Sequence, residues 1–137
     1  MANALYDIGR QKFLEGAIAW GTGNIKAALV RSSTYTPNMA THDELTDVTS
    51  GGAVVATSAN FASKTQTAGV ADAADVTFTA VAAGAAIQYI VIYLDSGTPS
   101  TSWLIALIDT ATGLPVTPGG GDITITWDNG ANKIFKL

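Results

Sequence analysis

Residues 85–109 read AAIQYIVIYLDSGTPSTSWLIALID. Two apolar runs, 87–94 and 103–108, flank the polar turn Ser96-Gly97-Thr98-Pro99-Ser100-Thr101-Ser102. Their Ile, Val and Tyr content suits extended chain. Side chains along a strand alternate with a period of two. In the first run Ile87, Tyr89, Val91 and Tyr93 therefore share one face, and Gln88, Ile90, Ile92 and Leu94 the other. In the second, Trp103, Ile105 and Leu107 oppose Leu104, Ala106 and Ile108. Both runs are apolar on both faces, whereas a strand with one wet face alternates apolar and polar residues. Each face needs a cover, and the expectation is that another protein chain supplies part of it.

The composition sets the frame for that reading. A chain of 137 residues suits one domain with a real core. Charged residues make up 13% and apolar residues 47%, against a usual charged share of about 25%. The surface must then be built from Thr, Ser, Asn, Gly and Ala, which suits packing against neutral protein. Net charge is −4 and the seven basic residues form no run, so no nucleic-acid footprint is expected. There is no cysteine, hence no disulfide framework and no thiolate site. Asp7, Arg10, Lys12 and Glu15 interrupt the first twenty residues where a secretion signal needs an apolar core. The longest apolar run, 80–94, is broken by Gly84 and Gln88 and is too short for a membrane helix. A soluble chain not exported by the standard route is expected.

Read in order, the chain predicts a short helix over 4–15, capped by Asn3, with Leu5, Ile8 and Lys12 on one stripe. Gly16 closes it, and Gly9 weakens its middle. A strand follows at 25–31. Thr41-His42-Asp43-Glu44 has the form of a capping box, with Thr41 as cap and Glu44 reaching back. Residues 53–58, 61–68 and 76–81 read as strands, the second of them an edge strand guarded by Lys64 and Gln66. Residues 122–127 alternate Ile123, Ile125 and Trp127 against Asp122, Thr124 and Thr126. Asn129-Gly130 then signals a hairpin into a last strand, 133–137. The fold expected is mainly β: a β-sandwich or jelly-roll-like barrel of about eight strands with one or two short helices. It forms a single domain over 1–137 with an N-terminal helical segment at about 3–16.

Few residues suggest chemistry. His42, the only histidine, lies in HDELTD. These residues suit a helix start, where acids are favoured by the dipole, better than one convergent metal site. Asp72 and Asp75 lack the spacing and distal Glu of a calcium loop. Asp95, Asp109 and Asp128 stand at strand ends, where Asp forms turns. No G-x-S-x-G elbow is present, and Gly119-Gly120-Gly121 lacks the G-K-[ST] of a phosphate loop. Trp20, Trp103 and Trp127 with Tyr89 and Tyr93 suit core packing more than a carbohydrate platform. No enzymatic activity, cofactor or metal is expected.

Two stretches carry a resemblance. LYDIGRQKFLEG at 5–16, followed by IKAALV at 25–30, resembles a small family of tailed-bacteriophage virion structural proteins. The closing TGLPVTPGGGDITITWDNGANKIFKL, 112–137, is similar to the end of the same family. The resemblance implies a β-rich building block of the phage particle, with no catalytic motif to carry over. The post it favours is a capsid decoration, or cement, protein that binds neighbouring capsid subunits on the virion surface. The implied partners are the major capsid protein, or tail proteins, and further copies of the chain, a trimer being favoured. It would be made in the host cytoplasm and bind neither nucleic acid nor membrane. Alternatives are a tail or head–tail component (ring, tube or fibre-associated), a glycan-binding module, and a small hydrolase centred on His42. The interface residues expected are Leu5, Ile8, Phe13, Trp20, Tyr89, Tyr93 and Trp103, and the contact regions expected are segment 1–16 and the hairpin strands.

Overall fold

The computed structural model describes residues 3–137. The two apolar runs form its centre: β7 (Tyr89–Leu94) pairs antiparallel with β8 (Leu104–Ile108) across a short 3-10 turn at Pro99–Thr101. On its other side β7 pairs with β2 (Ile25–Val30), which pairs with β3 (Val54–Thr57). A two-residue strand, β1 (Ala4–Leu5), adds to the free edge of β8. The result is a five-stranded antiparallel sheet in the order β1-β8-β7-β2-β3.

The remaining strands make two small antiparallel sheets. One holds β10 (Phe135–Lys136), β5 (Val70–Asp72) and β4 (Thr65–Thr67) in that order; the other pairs β6 (Val76–Phe78) with β9 (Ile123–Ile125). The described residues are thus mainly β, with ten strands and two α-helices, α1 (Asp7–Leu14) and α2 (Leu45–Thr49). The architecture is layered, without a closed barrel.

Both faces of the central sheet are covered by the chain itself, which corrects the expectation that the hairpin faces need another chain as part of their cover. One face presents Ile25, Ala27, Leu29, Ile90, Ile92 and Ile108. It packs on side chains from the small sheets and their flanks, including Trp20, Phe61, Phe78, Ile125 and Trp127. The other face presents Ala28, Val30, Val91, Tyr93, Leu104 and Leu107. It is covered by Tyr6, Tyr35, Leu45, Val48 and Ala53, so by α2, the chain entering α1 and the connection before α2. Every residue of β8 is buried. At roughly 1.5–3 kcal/mol for each large aliphatic side chain removed from water, this hairpin contributes substantially to stability.

The strict alternation expected for β8 fails at one point. Ile92 pairs with Ala106 and Tyr93 with Leu104, so Ile105 is an extra residue. This bulge puts Ile105 and Ala106 on the same face, with Ile108, while Leu104 and Leu107 point the other way. The freed Ile105 carbonyl accepts the Tyr6 N–H at 2.9 Å. Val55 is the matching extra residue on β3, between the pairs Leu29–Ala56 and Val30–Val54.

The helix expected over 4–15 begins later. Ala4 and Leu5 find partners in Leu107 and Ala106 on the open edge of β8, and α1 starts at Asp7. Asn3 is not its cap: its side-chain oxygen accepts the Asp109 N–H at 2.8 Å, and Tyr6 occupies the cap position. Gly16, at φ +78°, ends the helix as expected. The capping box likewise lies three residues beyond its expected place. Glu44 and Asp47 form it, with the Asp47 carboxylate accepting the N–H groups of Asp43 at 2.8 Å and Glu44 at 3.2 Å.

The Asn129-Gly130 hairpin is also corrected. β9 pairs with β6 and β10 pairs with β5, so the two strands diverge into different sheets. The Asp128 carboxylate instead accepts the Gly130 N–H at 3.1 Å, closing a local turn. β4 is the exposed edge strand expected, shortened to three residues. The strand expected over 76–81 stops at Phe78, because Ala80 adopts φ +48°.

Candidate functional site

The expected interface residues divide by burial. Leu5, Trp20 and Tyr93 are buried inside the chain and offer no surface to a partner. This corrects their assignment: Leu5 and Trp20 pack in the core shared with the small sheets, and Tyr93 on the opposite face of the central sheet. Ile8, Phe13, Tyr89 and Trp103 are half-buried. Ile8 and Tyr89 pack beside Tyr35 and Met39. Trp103 lies under the Lys12 ammonium, 4.4 Å from the ring centre, and Lys12 is itself paired with Glu15 at 2.8 Å. Met1 and Ala2 of the expected contact segment lie outside the described residues.

Phe13 adjoins the exposed large hydrophobic side chains of the described residues. Its ring stands 6.0 Å from Phe135, and Phe135 stands 5.2 Å from Trp20 at nearly a right angle. With Gln66, Gly69, Ala71 and Leu137 they line an open groove of about 210 Å³. Trp20 is fixed as its floor by its indole N–H, which donates to the Asp72 carbonyl at 3.2 Å. Leu14, adjoining Phe13 in α1, is 88% exposed, and Leu137 is 55% exposed. These are the exposed large hydrophobic residues among those described. Leu14, Phe135 and Leu137 were not anticipated as surface. Leu14 carried a signal, since it stands off the buried stripe of α1. Phe135 and Leu137 carried none, because their exposure depends on what covers β10.

A second groove runs along the opposite side of β10, between it and β1. Its two lobes, about 300 and 360 Å³, share Asn3, Ile108, Asp128, Lys133 and Ile134. Trp127 lines the first lobe, and Leu5, Arg10 and Lys136 the second.

His42 sits in neither groove. Its Nδ1 accepts the Asn38 backbone N–H at 3.2 Å and lies 2.9 Å from the Tyr35 hydroxyl. Nδ1 therefore bears no proton in this arrangement, and Tyr35 donates to it. Tyr6 donates in turn to the Tyr35 oxygen at 2.8 Å. Burial pushes the Tyr35 hydroxyl up to about 12 and the Tyr6 hydroxyl higher still. The relay ties the connection before α2 to the chain entering α1, and both tyrosines stay neutral. Burial raises the Asp47 carboxyl, but the N–H groups of Asp43 and Glu44 outweigh it and hold the group below its usual range.

The other acids are engaged one at a time. Asp75 accepts the Trp127 N–H at 2.9 Å, Asp95 pairs with Lys26 at 2.8 Å, and Asp72 lies 3.9 Å from Lys133. No group of three or more His, Cys, Asp or Glu side chains is placed to hold a metal ion among the described residues. The triple glycine runs beside Val81, Gly120 donating to its carbonyl and Gly121 accepting its N–H. No helix among the described residues is long and apolar enough to cross a membrane.

The class these features define is a mainly β protein whose distinctive surfaces are two grooves flanking β10. No protein-family model matches the chain, and no curated protein matches it significantly.

Proposed function

We propose that the chain is a non-enzymatic structural protein of a tailed-bacteriophage particle, serving as a capsid decoration protein. The observation that carries this reading is the origin of the apolar patch. Leu14 and Phe13 come from the opening stretch that resembles the virion family, and Phe135 and Leu137 from the closing one. These distant segments meet at one surface, with Phe13 and Phe135 6.0 Å apart. A family surface used for adhesion would be built in this way.

The mechanism is attachment rather than chemistry. The patch buries Leu14 and Leu137 against a neighbouring subunit or a further copy of the chain, a closed trimer being favoured. Repetition over many sites gives a modest contact a large summed effect on the shell. The low charge of the surface supports neutral packing of this kind.

Imaging of purified particles tests the reading. Density matching the layered sheets is expected on the outer shell where capsid subunits meet. Density at the head–tail junction or along the tail would overturn the decoration role in favour of a tail component. Absence of the chain from purified particles would overturn the structural role altogether.

A further inference from the structure

We propose that the groove between β1 and β10 binds an extended acidic segment of a partner protein as an added strand. β1 is the outermost strand of the five-stranded sheet and β10 of the three-stranded sheet. Each has one side bonded to its neighbour, and their other sides face the groove. The main-chain pattern follows from alternation in antiparallel pairs. Tyr6 donates its N–H to Ile105 across the sheet, so the N–H and C=O of Leu5 turn away from β8. Leu137 donates to the Gly69 carbonyl, so those of Lys136 turn away from β5. An extended chain laid in the groove meets hydrogen-bonding groups of both edges, the requirement for strand addition.

Charge selects the occupant. Arg10, Lys133 and Lys136 line the groove, opposed by the single lining carboxylate of Asp128. They are three of the seven cations in a chain of net charge −4. Lys136 makes no ion pair among the described residues. Arg10 bonds Asp7 only where both side chains are more than half exposed, and Lys133 donates to the exposed Asn129 side-chain oxygen at 3.1 Å while standing 3.9 Å from Asp72. Of the four cations elsewhere, three are tightly engaged, Lys12 and Lys26 at 2.8 Å from carboxylates and Lys64 at 2.5 Å from the Gly23 carbonyl, while the fourth, Arg31, is drawn inward with its Nε buried. Positive potential is therefore concentrated where main-chain groups are open. A segment alternating acidic and apolar residues places carboxylates toward the lysines and apolar side chains toward the groove floor, where Trp127 lies. A particle component and a free binding protein would use such a groove alike.

The probe is a capped, fluorescein-labelled Asp-Val-Asp-Val-Asp-Val peptide, titrated into the full chain and followed by anisotropy. Lys-Val and Thr-Val peptides of equal length serve as controls. The acidic peptide is expected to bind at least tenfold more tightly than either control. Its affinity should fall at least tenfold in the Lys133→Glu/Lys136→Glu variant, whose folding is checked by thermal melting. Saturation should slow amide exchange at Leu5 and Lys136, which a purely electrostatic contact would leave unchanged. Equal binding of the three peptides, an unaffected variant, or unchanged exchange at both amides would overturn the proposal. So would inorganic phosphate competing as strongly as the peptide, or loss of self-association in the variant as the only effect.

Discussion

Gly9 illustrates how a single residue reports on packing that its local role conceals. In an isolated helix it is a weak point, and Ala would be better by about 1 kcal/mol. In the fold it is buried where α1 meets the bulge of β8. A Cβ there would stand 2.7 Å from the Leu104 carbonyl oxygen and 3.0 Å from the Ile105 Cα. These are backbone atoms, held on both sides by the sheet, and they cannot swing aside. Gly9→Ala should therefore destabilise the protein, by roughly 1–3 kcal/mol from overpacking, opposite in sign to its helix propensity. Equilibrium denaturation of the pair measures it, and a stabilised variant would show that α1 does not rest on β8 at this distance. His42 teaches a similar lesson: its acidic neighbours suggested a helix start, yet its ring is held by Tyr35 and the Asn38 N–H.

Among the elements, α2 is held by its cap more than by its length. Five residues cannot persist as a helix alone. Leu45 and Val48 anchor it in the core, and the Asp47 carboxylate closes its start. Asp47→Ala should cost about 1 kcal/mol at neutral pH. The pH dependence has a definite sign. Because the folded carboxyl is held below its unfolded value of about 3.9, its contribution is present above that value. It is lost as pH falls through the folded one. The gap between wild type and variant in urea denaturation should be full at pH 7 and shrink progressively below about pH 4. A gap that widened with acid would refute the cap. The capping box was legible as a motif, but its position was not. Thr41 and Glu44 have the motif's residue types and spacing, whereas Glu44 and Asp47 keep the spacing alone, and the tertiary anchoring of Leu45 and Val48 selects the later pair.

Across the whole molecule, self-coverage of the central sheet moves the proposed contact surface outward. The hairpin strands are mostly core, and among the described residues the exposed large hydrophobic side chains are Leu14, beside Phe13, and Leu137, on the groove that Phe13 lines. Leu14→Asp should leave the melting temperature nearly unchanged, since the side chain is 88% exposed and surface changes usually stay within about 0.5 kcal/mol. It should nevertheless weaken self-association or attachment to capsid shells at least tenfold, read by sedimentation and by co-pelleting with shells. Full retention of both would remove the patch from the contact surface. This substitution separates surface from core more cleanly than any change at Leu5, Trp20 or Tyr93.

The amino-acid order by itself determined the mainly β class, the central hairpin, the faces of β2 and β7, the edge position of β4 and the glycine end of α1. Each depends on local periodicity or on a backbone angle that few residues adopt. The tertiary structure alone decided the rest. A period-two pattern says that a face is apolar but not which segment covers it, so the chain's own coverage of both hairpin faces was not readable. Nor was the bulge at Ile105, which needs a partner strand to define its register. The divergence of β9 and β10 after Asn129-Gly130 has the same cause. A turn brings the chain around, but the hydrogen-bonding edges available on β5 and β6 choose where each strand goes.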